Sequence, residues 1–442
     1  MSRPPARIAI LSHGTSAFDS RAQRIARTWA ARGDTVTLYS RYLPGLPRDQ
    51  EVDGYRLVRL PLDEADVRLA DREARRAATE APTAAPASGA PTQPGMLRRV
   101  VTRLPTGSVI RHRFRQFPLR PLQRAPWYVR QVEPHDIWHG MWAGSLPALD
   151  QVRAAHGGHT VYDARDVFLR SRMFDHMPRW QRRILTRYER RWAGACDAVV
   201  QVSPEYAAMT ERDLGLDHVA VVRNCPERWD PPAPRPDRIR ELLGLPTTTR
   251  VVLYQGRVMG DRGIEQAMDA ILEVPDAVLV IMGFGNQNGS QSSRDPYVEA
   301  SQRAPYLGKV HVIDPVPPTE LLWWSASADV MVMAVQPRSQ NHRFMTPQKL
   351  WEALAAGVPV VAADMPGFRS VVGEVGCGEL VDPTSPPAIG AGIRRLLDLG
   401  PEGLRAVGDR GLAAAHDRYN WEVQAEVLEG IYAELLAKGR DG

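Results

Sequence analysis

The chain has 442 residues, of which 43% are hydrophobic and 24% charged, and its formal net charge is +5. This composition is typical of a folded, water-soluble protein, and the length exceeds what one core usually serves, so two domains are predicted. No apolar run approaches the roughly 18 residues of a membrane-spanning helix, and no signal-peptide pattern opens the chain. Three widely spaced cysteines without metal-ligand spacing favour a reducing compartment. We therefore expect a cytoplasmic protein, at most peripheral to a membrane.

The chain begins with a predicted strand–helix–strand unit. Residues 7–12 and 35–39 are apolar enough for buried strands, and residues 22–31 between them have helical spacing. This order predicts a parallel sheet with a ligand crevice at the carboxyl ends of its strands. His13 and Gly14 follow the first strand, but no Gly-x-Gly-x-x-Gly fingerprint does, so dinucleotide binding is not predicted.

Two unusual segments follow. Residues from about 64 to 96 become rich in Ala, Pro, Thr, Ser and Gly, which predicts a flexible loop. Residues 97–130 hold nine arginines and no acidic residue, interleaved with apolar residues. Such a basic segment could contact an anionic membrane or acceptor, or could form a solvated basic face. Four prolines interrupt any long helix, which favours the solvated face, and no nucleic-acid-binding module is recognisable.

Polar residues end two further predicted strands. Residues 136–140 include His139, and residues 160–166 include Asp163 and Arg165. Because strand ends face the crevice in this architecture, these three side chains are candidate site residues.

The remaining pattern divides the chain. A helix over residues 179–193 and two short strands complete the first domain, and a Pro-rich stretch follows it. The strand–helix alternation then begins again. The predicted limits are residues 1–228 for the first domain, 229–246 for the linker, 247–418 for the second domain and 419–442 for a final helix.

The stretch over residues 346–361 predicts a compact helix–strand unit. Thr346 suits an N-cap, Pro347 the first helical position and Gly357 the left-handed residue that closes a helix. The free N–H groups of such a helix start form a natural phosphate site. Lys349 and Glu352 share one face, where they could hold the diphosphate and ribose of a nucleotide. The alternative is an ordinary capped helix with a solvated Lys–Glu pair.

Taken together, these residues resemble the retaining glycosyltransferases of family 4, and the similarity covers nearly the whole chain. It rests on motifs that occur in the family's order and spacing. They are the glycine loop after the first strand, Asp136-Ile137-Trp138-His139, Gly256-Arg257 with Arg262-Gly263, Gly283-Phe284-Gly285, and Pro347-x-Lys349-x-x-Glu352-x-x-Ala355-x-Gly357-x-Pro359-Val360.

The resemblance implies an α/β fold of the GT-B type, in which two Rossmann-like doubly wound parallel-sheet domains face a central cleft. It also implies transfer of a sugar from a nucleoside diphosphate sugar, with retained configuration and without a metal or other cofactor. The acceptor would be a small metabolite or a lipid-linked compound, and nucleic acid is not an expected partner. The final helix resembles the one that returns to the first domain.

Site residues follow from the same resemblance. Arg257 matches the arginine on the donor diphosphate, Arg262 stands where a lysine is usual, and Glu352 matches the ribose-binding glutamate. The implied catalytic residues are His139, Arg257 and Arg262. The implied donor-binding residues are Gly14, Gly256, Gly283, Gly285, Thr346, Pro347, Gln348, Lys349 and Glu352. The acceptor-side candidates are His13, Asp163 and Arg165.

Three positions depart from the family pattern. Phe344 replaces the first glutamate of the motif, Met141 replaces a second histidine-like residue, and Arg165 stands where a histidine is more usual. These departures bear on the sugar and the acceptor more than on nucleotide binding. A nucleotide-sugar epimerase of the same fold and a catalytically degenerate scaffold remain the alternative functions.

Overall fold

The structure is a computed structural model that describes residues 4–12, 14, 19–79, 106–285 and 293–438. The first domain contains eight strands, which end near the predicted boundary. They are β1 (Arg7–Ser12), β2 (Thr35–Arg41), β3 (Asp49–Val52), β4 (Tyr55–Leu60), β5 (Ile137–Met141), β6 (His159–Asp163), β7 (Ala198–Gln201) and β8 (Ala220–Val221). Its helices are α1 (Ser20–Ala31), α2 (Glu64–Thr79), α3 (Thr106–Phe114), α4 (Arg120–Val129), α5 (Leu146–His156), α6 (Arg179–Ala193) and α7 (Pro204–Leu214).

The second domain contains six strands: β9 (Arg250–Gln255), β10 (Ala277–Met282), β11 (Val310–Ile313), β12 (Val330–Met333), β13 (Val360–Ala363) and β14 (Gly378–Val381). Its helices are α8 (Arg238–Leu243), α9 (Ile264–Ile271), α10 (Asp295–Ser301), α11 (Leu321–Ser325), α12 (Gln340–Phe344), α13 (Gln348–Ala355), α14 (Pro366–Phe368), α15 (Pro386–Leu397) and α16 (Gly400–Asp417). The last helix is α17 (Trp421–Lys438).

Each domain is built on one twisted sheet. The first sheet has the order β3-β4-β2-β1-β5-β6-β7-β8 and is parallel except for the β3–β4 pair. The second sheet has the order β11-β10-β9-β12-β13-β14, and all of its strand pairs are parallel. Apolar cores cover both faces of each sheet, as buried parallel strands require. The predicted doubly wound two-domain α/β fold is therefore confirmed.

The predicted loop at 64–96 is wrong over its first half, because residues 64–79 form α2. The Asp63 carboxylate accepts a hydrogen bond from the Asp66 N–H at 3.0 Å, as an N-cap does. The buried Asp66 carboxylate in turn binds the Arg41 guanidinium at 2.9 Å. These local polar contacts fix the helix start, and composition alone does not reveal them. Residues 80–96 lie outside the described residues.

The basic segment is more helical and more buried than its prolines suggested. A π-helical turn over Arg115–Leu119, kinked at Phe117, joins α3 to α4, so the described part is helical almost throughout. Phe117 and Tyr128 are fully buried in the core of the first domain. Arg124 is buried too, and it binds Asp63 at 2.8 Å. One side of this segment therefore belongs to the fold and is not a solvated face; residues 97–105 are not described.

The predicted linker also contains structure. Helix α8 lies within residues 229–246, and its Ile239 is fully buried in the core of the second domain. Helix α17 packs on the first domain, where the Trp421 indole N–H donates to Thr28 at 2.7 Å. None of the helices in the described ranges is long and apolar enough to cross a membrane.

Candidate donor site between the two domains

The site lies where the two domains meet at the carboxyl ends of their strands. The Tyr206 hydroxyl donates to the Asn341 carbonyl at 2.7 Å, and the Arg172 guanidinium donates to Asp261 at 3.0 Å. Val167 packs beside Tyr206 against Phe344 of the second domain. Polar and apolar contacts therefore join the domains around the cleft.

Helix α13 begins at this junction, although not with the predicted cap. Pro347 is the N-cap, with extended backbone angles, and no side chain caps the helix start. The prediction that Thr346 is the N-cap is therefore wrong, and its buried hydroxyl has no partner among the described residues. Gly357 ends the helix at φ +60°, as predicted, and β13 follows. The Leu350 N–H of the first turn donates to the Pro347 carbonyl at 2.9 Å, so the N–H groups of Gln348 and Lys349 are those left to bind an anion.

Lys349 and Glu352 are buried, which rules out a solvated surface pair. The Lys349 ammonium lies 4.1 Å from the ring centroid of Tyr254 and has no hydrogen-bond partner among the described residues. Burial, assisted by repulsion from Arg262, lowers the pKa of Lys349 to about 7. The Glu352 carboxylate accepts a hydrogen bond from the Gln255 amide at 2.6 Å, and burial raises its pKa.

Arg257 and Arg262 bring two further cations to this site. Burial lowers the pKa of Arg257, and repulsion by the nearby Arg262 lowers it further. The Arg262 Nε atom lies 3.6 Å from an Asp261 oxygen, which is too long for a hydrogen bond, and has no other partner in the described ranges. The structure therefore brings together Arg257, Arg262, Lys349 and the start of α13 as a cluster of positive charge, which we call the cation cluster.

Glycines allow close backbone approach at the same edge of the sheet. Gly256 has φ +113°, and a Cβ atom on Gly283 would lie only 1.8 Å from the Gly256 carbonyl oxygen. Gly283 and the buried Gly285 follow β10 directly. The predicted glycine positions thus border the cation cluster.

The first domain contributes to this site through α1. The Gln348 side-chain oxygen accepts from Asn224 at 3.3 Å, and Asn224 in turn accepts from Arg24 at 3.0 Å. The Arg24 charge favours the ionised form of Glu352, but burial has the larger effect and favours the protonated form. Arg24 and Gln255 escaped the sequence analysis, because an arginine in an amphipathic helix and a glutamine at a strand end carry no motif.

His139 does not face the cleft, contrary to the expectation that it lines the sugar pocket. Its ring is fully buried, with Nδ1 at 2.7 Å from the Tyr432 hydroxyl and Nε2 at 3.3 Å from Asp163. Burial lowers the pKa of His139. Burial opposes ionisation of Asp163 as well, but Arg21, at 2.6 Å, and His139 outweigh it and lower its pKa. Tyr432, His139, Asp163 and Arg21 thus form a buried chain of hydrogen bonds. His139 and Asp163 belong to the interior of the first domain beneath the strand ends.

Arg165 follows the end of β6 and is partly exposed, whereas Asp163 is fully buried. The φ of Arg165 is +62°, which is rare for a side chain of this size, and its guanidinium donates to Asp19 at 2.6 Å. The next residue, Asp166, is exposed, and the positive charges of Arg262 and Arg257 both favour its ionised form. Gly14 is exposed, and its carbonyl accepts from the Arg41 N–H at 2.8 Å. His13 lies outside the described residues.

A groove of about 490 Å³ opens beyond the end of β11. Ile313, Val316, Pro317 and Trp324 line it, together with the aliphatic and charged parts of Arg294. The Arg294 guanidinium donates to Asp314 at 2.6 Å. This groove is apolar with a few polar groups, as ligand grooves commonly are. Within the described ranges, no three His, Cys, Asp or Glu side chains are grouped as metal ligands would be.

Comparison with known proteins agrees with this geometry. Residues 236–411 match the family model described as glycosyl transferases group 1. A D-inositol 3-phosphate glycosyltransferase of Xylanimonas cellulosilytica is 29% identical over 321 residues, which cover 71% of this chain and 73% of that protein. The Corynebacterium diphtheriae protein of the same name is 30% identical over 204 residues, or 45% of each chain.

Solved structures share the fold at lower identity. Sucrose-phosphate synthase from Thermosynechococcus elongatus superposes with a TM-score of 0.72 at 19% identity, over 98% of this chain and 99% of that one. A structure described as "Trehalose-6-phosphate from E. coli bound with UDP-2-fluoro glucose" gives a TM-score of 0.66 at 12% identity, over 96% and 99%.

The two parallel-sheet domains and their superposition on these solved structures define the GT-B fold. The match over residues 236–411 and the named relatives indicate the kind of enzyme. The chain is similar to the group 1 glycosyltransferases over residues 236–411, and these matches identify it as a glycosyltransferase enzyme.

Proposed function

We propose that this enzyme transfers a sugar from a nucleoside diphosphate sugar to a small hydroxyl-bearing acceptor and retains the anomeric configuration. The observation that carries the proposal is the cation cluster, which lies at the start of α13 and on the cleft between the domains. A diphosphate is the ligand whose charge and size suit two guanidinium groups, an ammonium group and free backbone N–H groups together.

The cation cluster would act on the leaving group. As the bond between the anomeric carbon and the phosphate oxygen breaks, negative charge grows on the diphosphate. Arg262 Nε and Lys349 Nζ have no hydrogen-bond partners in the described part of the chain, so both can turn to phosphate oxygens. Preorganised donors of this kind stabilise the transition state by about 3 kcal/mol each, roughly a hundredfold in rate.

Neighbouring groups suit the nucleoside end of the donor. Glu352 is held by Gln255 and can accept hydrogen bonds from the two ribose hydroxyls. The groove beyond β11 lies in the same domain and offers an apolar slot with Trp324 and Pro317 for the base. The presence of UDP-2-fluoro glucose in a structural neighbour supports a uridine nucleotide as the first donor to test.

The acceptor would bind on the side of the first domain. The named relatives support a small phosphorylated polyol or sugar as its chemical class. Arg165, in its strained conformation after β6, and the exposed Asp166 are the side chains available for such a ligand. The contacts that join the domains would limit water and therefore donor hydrolysis.

Retention would follow from attack on the face that the leaving group vacates. The acceptor oxygen forms a bond to the anomeric carbon as the phosphate oxygen departs, and the acceptor proton passes to that phosphate oxygen. Atoms and charge are therefore balanced in this step. The cation cluster keeps the departing diphosphate in place to accept the proton.

Two substitutions test the assignment. Arg257→Ala and Glu352→Ala are expected to reduce release of nucleoside diphosphate at least a hundredfold, because they remove a diphosphate cation and the ribose acceptor. Arg303→Ala, on the exposed surface of the second domain, is the matched control and should keep full activity. Full activity in both site variants would refute the assignment.

Product analysis separates the alternatives. Proton NMR of the product should show the anomeric configuration of the donor. An inverted product would refute retention but not sugar transfer. Conversion of the donor to an isomer without any acceptor would instead identify an epimerase. Absence of binding to every nucleoside diphosphate sugar would identify a scaffold.

A further inference from the structure

One surface of the first domain is not used by the proposed reaction. Helix α6 exposes three large apolar side chains four residues apart, Trp180, Ile184 and Tyr188, which are 51%, 40% and 38% exposed. At this spacing they form one ridge along the helix. The Phe114 ring of α3 lies beside Trp180, with centroids 6.3 Å apart, and extends the ridge.

Arginines run beside this ridge at the same spacing. Arg183, Arg187 and Arg191 are exposed, and none of them forms an ion pair with another described residue. The one carboxylate of the helix, Glu189, is buried, and burial raises its pKa to about 8. We name Trp180, Ile184, Tyr188, Arg183, Arg187 and Arg191 the arginine–aromatic face.

We propose that the arginine–aromatic face docks on the surface of an anionic lipid bilayer. An exposed apolar ridge flanked by unpaired arginines complements both parts of such a surface, because the ridge enters the acyl boundary and the guanidinium groups meet the lipid phosphates. Tryptophan and tyrosine are the side chains that favour this interface. A nucleic-acid backbone would match the arginines but would leave the apolar ridge exposed to water.

The position of the face relates it to the cleft. The loop that enters α6 carries Arg172, which contacts Asp261 at the edge of the donor site, and Met173, which is 48% exposed. Docking through α6 would therefore hold the opening of the cleft close to the bilayer. The docking itself does not depend on the proposed transfer reaction, and its test needs no activity.

Co-sedimentation with vesicles tests the docking. The full chain should bind vesicles of phosphatidylcholine mixed with phosphatidylglycerol and should bind phosphatidylcholine alone much less. Since each surface arginine favours an anionic bilayer by about fivefold, the R183Q/R187Q/R191Q variant should bind roughly a hundredfold less tightly. The matched control R303Q/R405Q/R410Q, which removes three exposed arginines of the second domain, should bind as the wild type does.

A second measurement reports insertion of the ridge. Lipids brominated on their acyl chains should quench part of the tryptophan fluorescence of the wild type, and Trp180→Phe should lose that part while remaining folded. Equal vesicle binding by the wild type and the arginine variant would overturn the proposal. So would an absence of vesicle binding by the wild type, including a result in which it retains RNA through the same arginines.

Discussion

Burial strongly changes the acid–base chemistry of Lys349. Its ammonium group is buried against Tyr254, so its pKa falls from an ordinary value of 10.5 to about 7. Between these values the folded protein binds fewer protons than the unfolded chain, so this residue's contribution to stability rises with pH from about 7. Below about pH 7 the charged form is present in the fold and costs stability. A bound diphosphate would reverse this balance by favouring the charged form.

We therefore predict that donor binding takes up a proton at Lys349. At about pH 8 the free site is mostly neutral and the bound site charged, so binding should take up roughly nine-tenths of a proton. Affinity should fall by about tenfold for each pH unit above about 7. Calorimetry of a nucleotide sugar in buffers of different ionisation enthalpy measures the uptake, because the diphosphate itself exchanges no proton there.

Two variants make this test specific. Lys349→Met and Lys349→Arg should both abolish the proton uptake, the first because it cannot be charged and the second because it always is. Lys349→Arg should bind donor with an affinity that does not depend on pH in this range. Unchanged proton uptake in both variants would show that another group titrates.

At the scale of elements, α17 connects the end of the chain to the interior of the first sheet. Tyr432 on α17 meets His139 in β5, and Asp163 in β6 and Arg21 in α1 complete the chain of hydrogen bonds. Because β6 leads directly to Arg165, this chain fixes the strand end that faces the cleft. We therefore propose that His139 and Tyr432 act as positioning residues.

Tyr432→Phe should weaken this connection. The substitution leaves the buried Nδ1 of His139 without its hydroxyl partner, which should lower the free energy of unfolding by about 1–3 kcal/mol. Denaturant unfolding measures the change, and Tyr188→Phe on the exposed side of α6 is the control that should not alter it. If Tyr432→Phe unfolds like the wild type but loses activity, the hydroxyl acts on the reaction and not on stability.

Elements with strong local signals were predictable from the sequence, and long-range contacts were not. The limits of α6 and the glycine that closes α13 follow from helical spacing and backbone preference. The start of α2 depends on a capping contact inside a composition that looks disordered. The pairing of His139 with Tyr432 spans 293 residues of sequence, and no periodicity reports such a contact. The site motifs named Arg257, Arg262 and Lys349, which the fold brings together, but only the fold revealed that His139 is buried.

At the scale of the whole molecule, Phe344 helps to hold the two domains together. It stands where the related motif has its first glutamate, and it packs with Met345 against Val167, Tyr206 and Met209 of the first domain. The side chain at this position therefore contributes an apolar contact across the cleft and no carboxylate to a sugar.

Phe344→Ala should favour an open arrangement of the domains, because it removes the largest apolar side chain that the second domain adds to this contact. Small-angle scattering should show a larger radius of gyration, and the KM for donor should rise several-fold. Phe344→Leu, which keeps most of the apolar volume, is the control and should remain close to the wild type. An unchanged radius of gyration in Phe344→Ala would show that other contacts hold the cleft.

The most direct test of the central claim is donor binding measured by calorimetry with a panel of nucleoside diphosphate sugars. The account predicts that the wild type binds at least one of them, and that Arg257→Gln weakens this binding by at least about tenfold because a charged hydrogen bond to the diphosphate is lost. Arg303→Gln, an exposed arginine of the same domain, should bind like the wild type. Equal binding by the wild type and Arg257→Gln, or no binding of any member of the panel, would contradict a donor site at the start of α13.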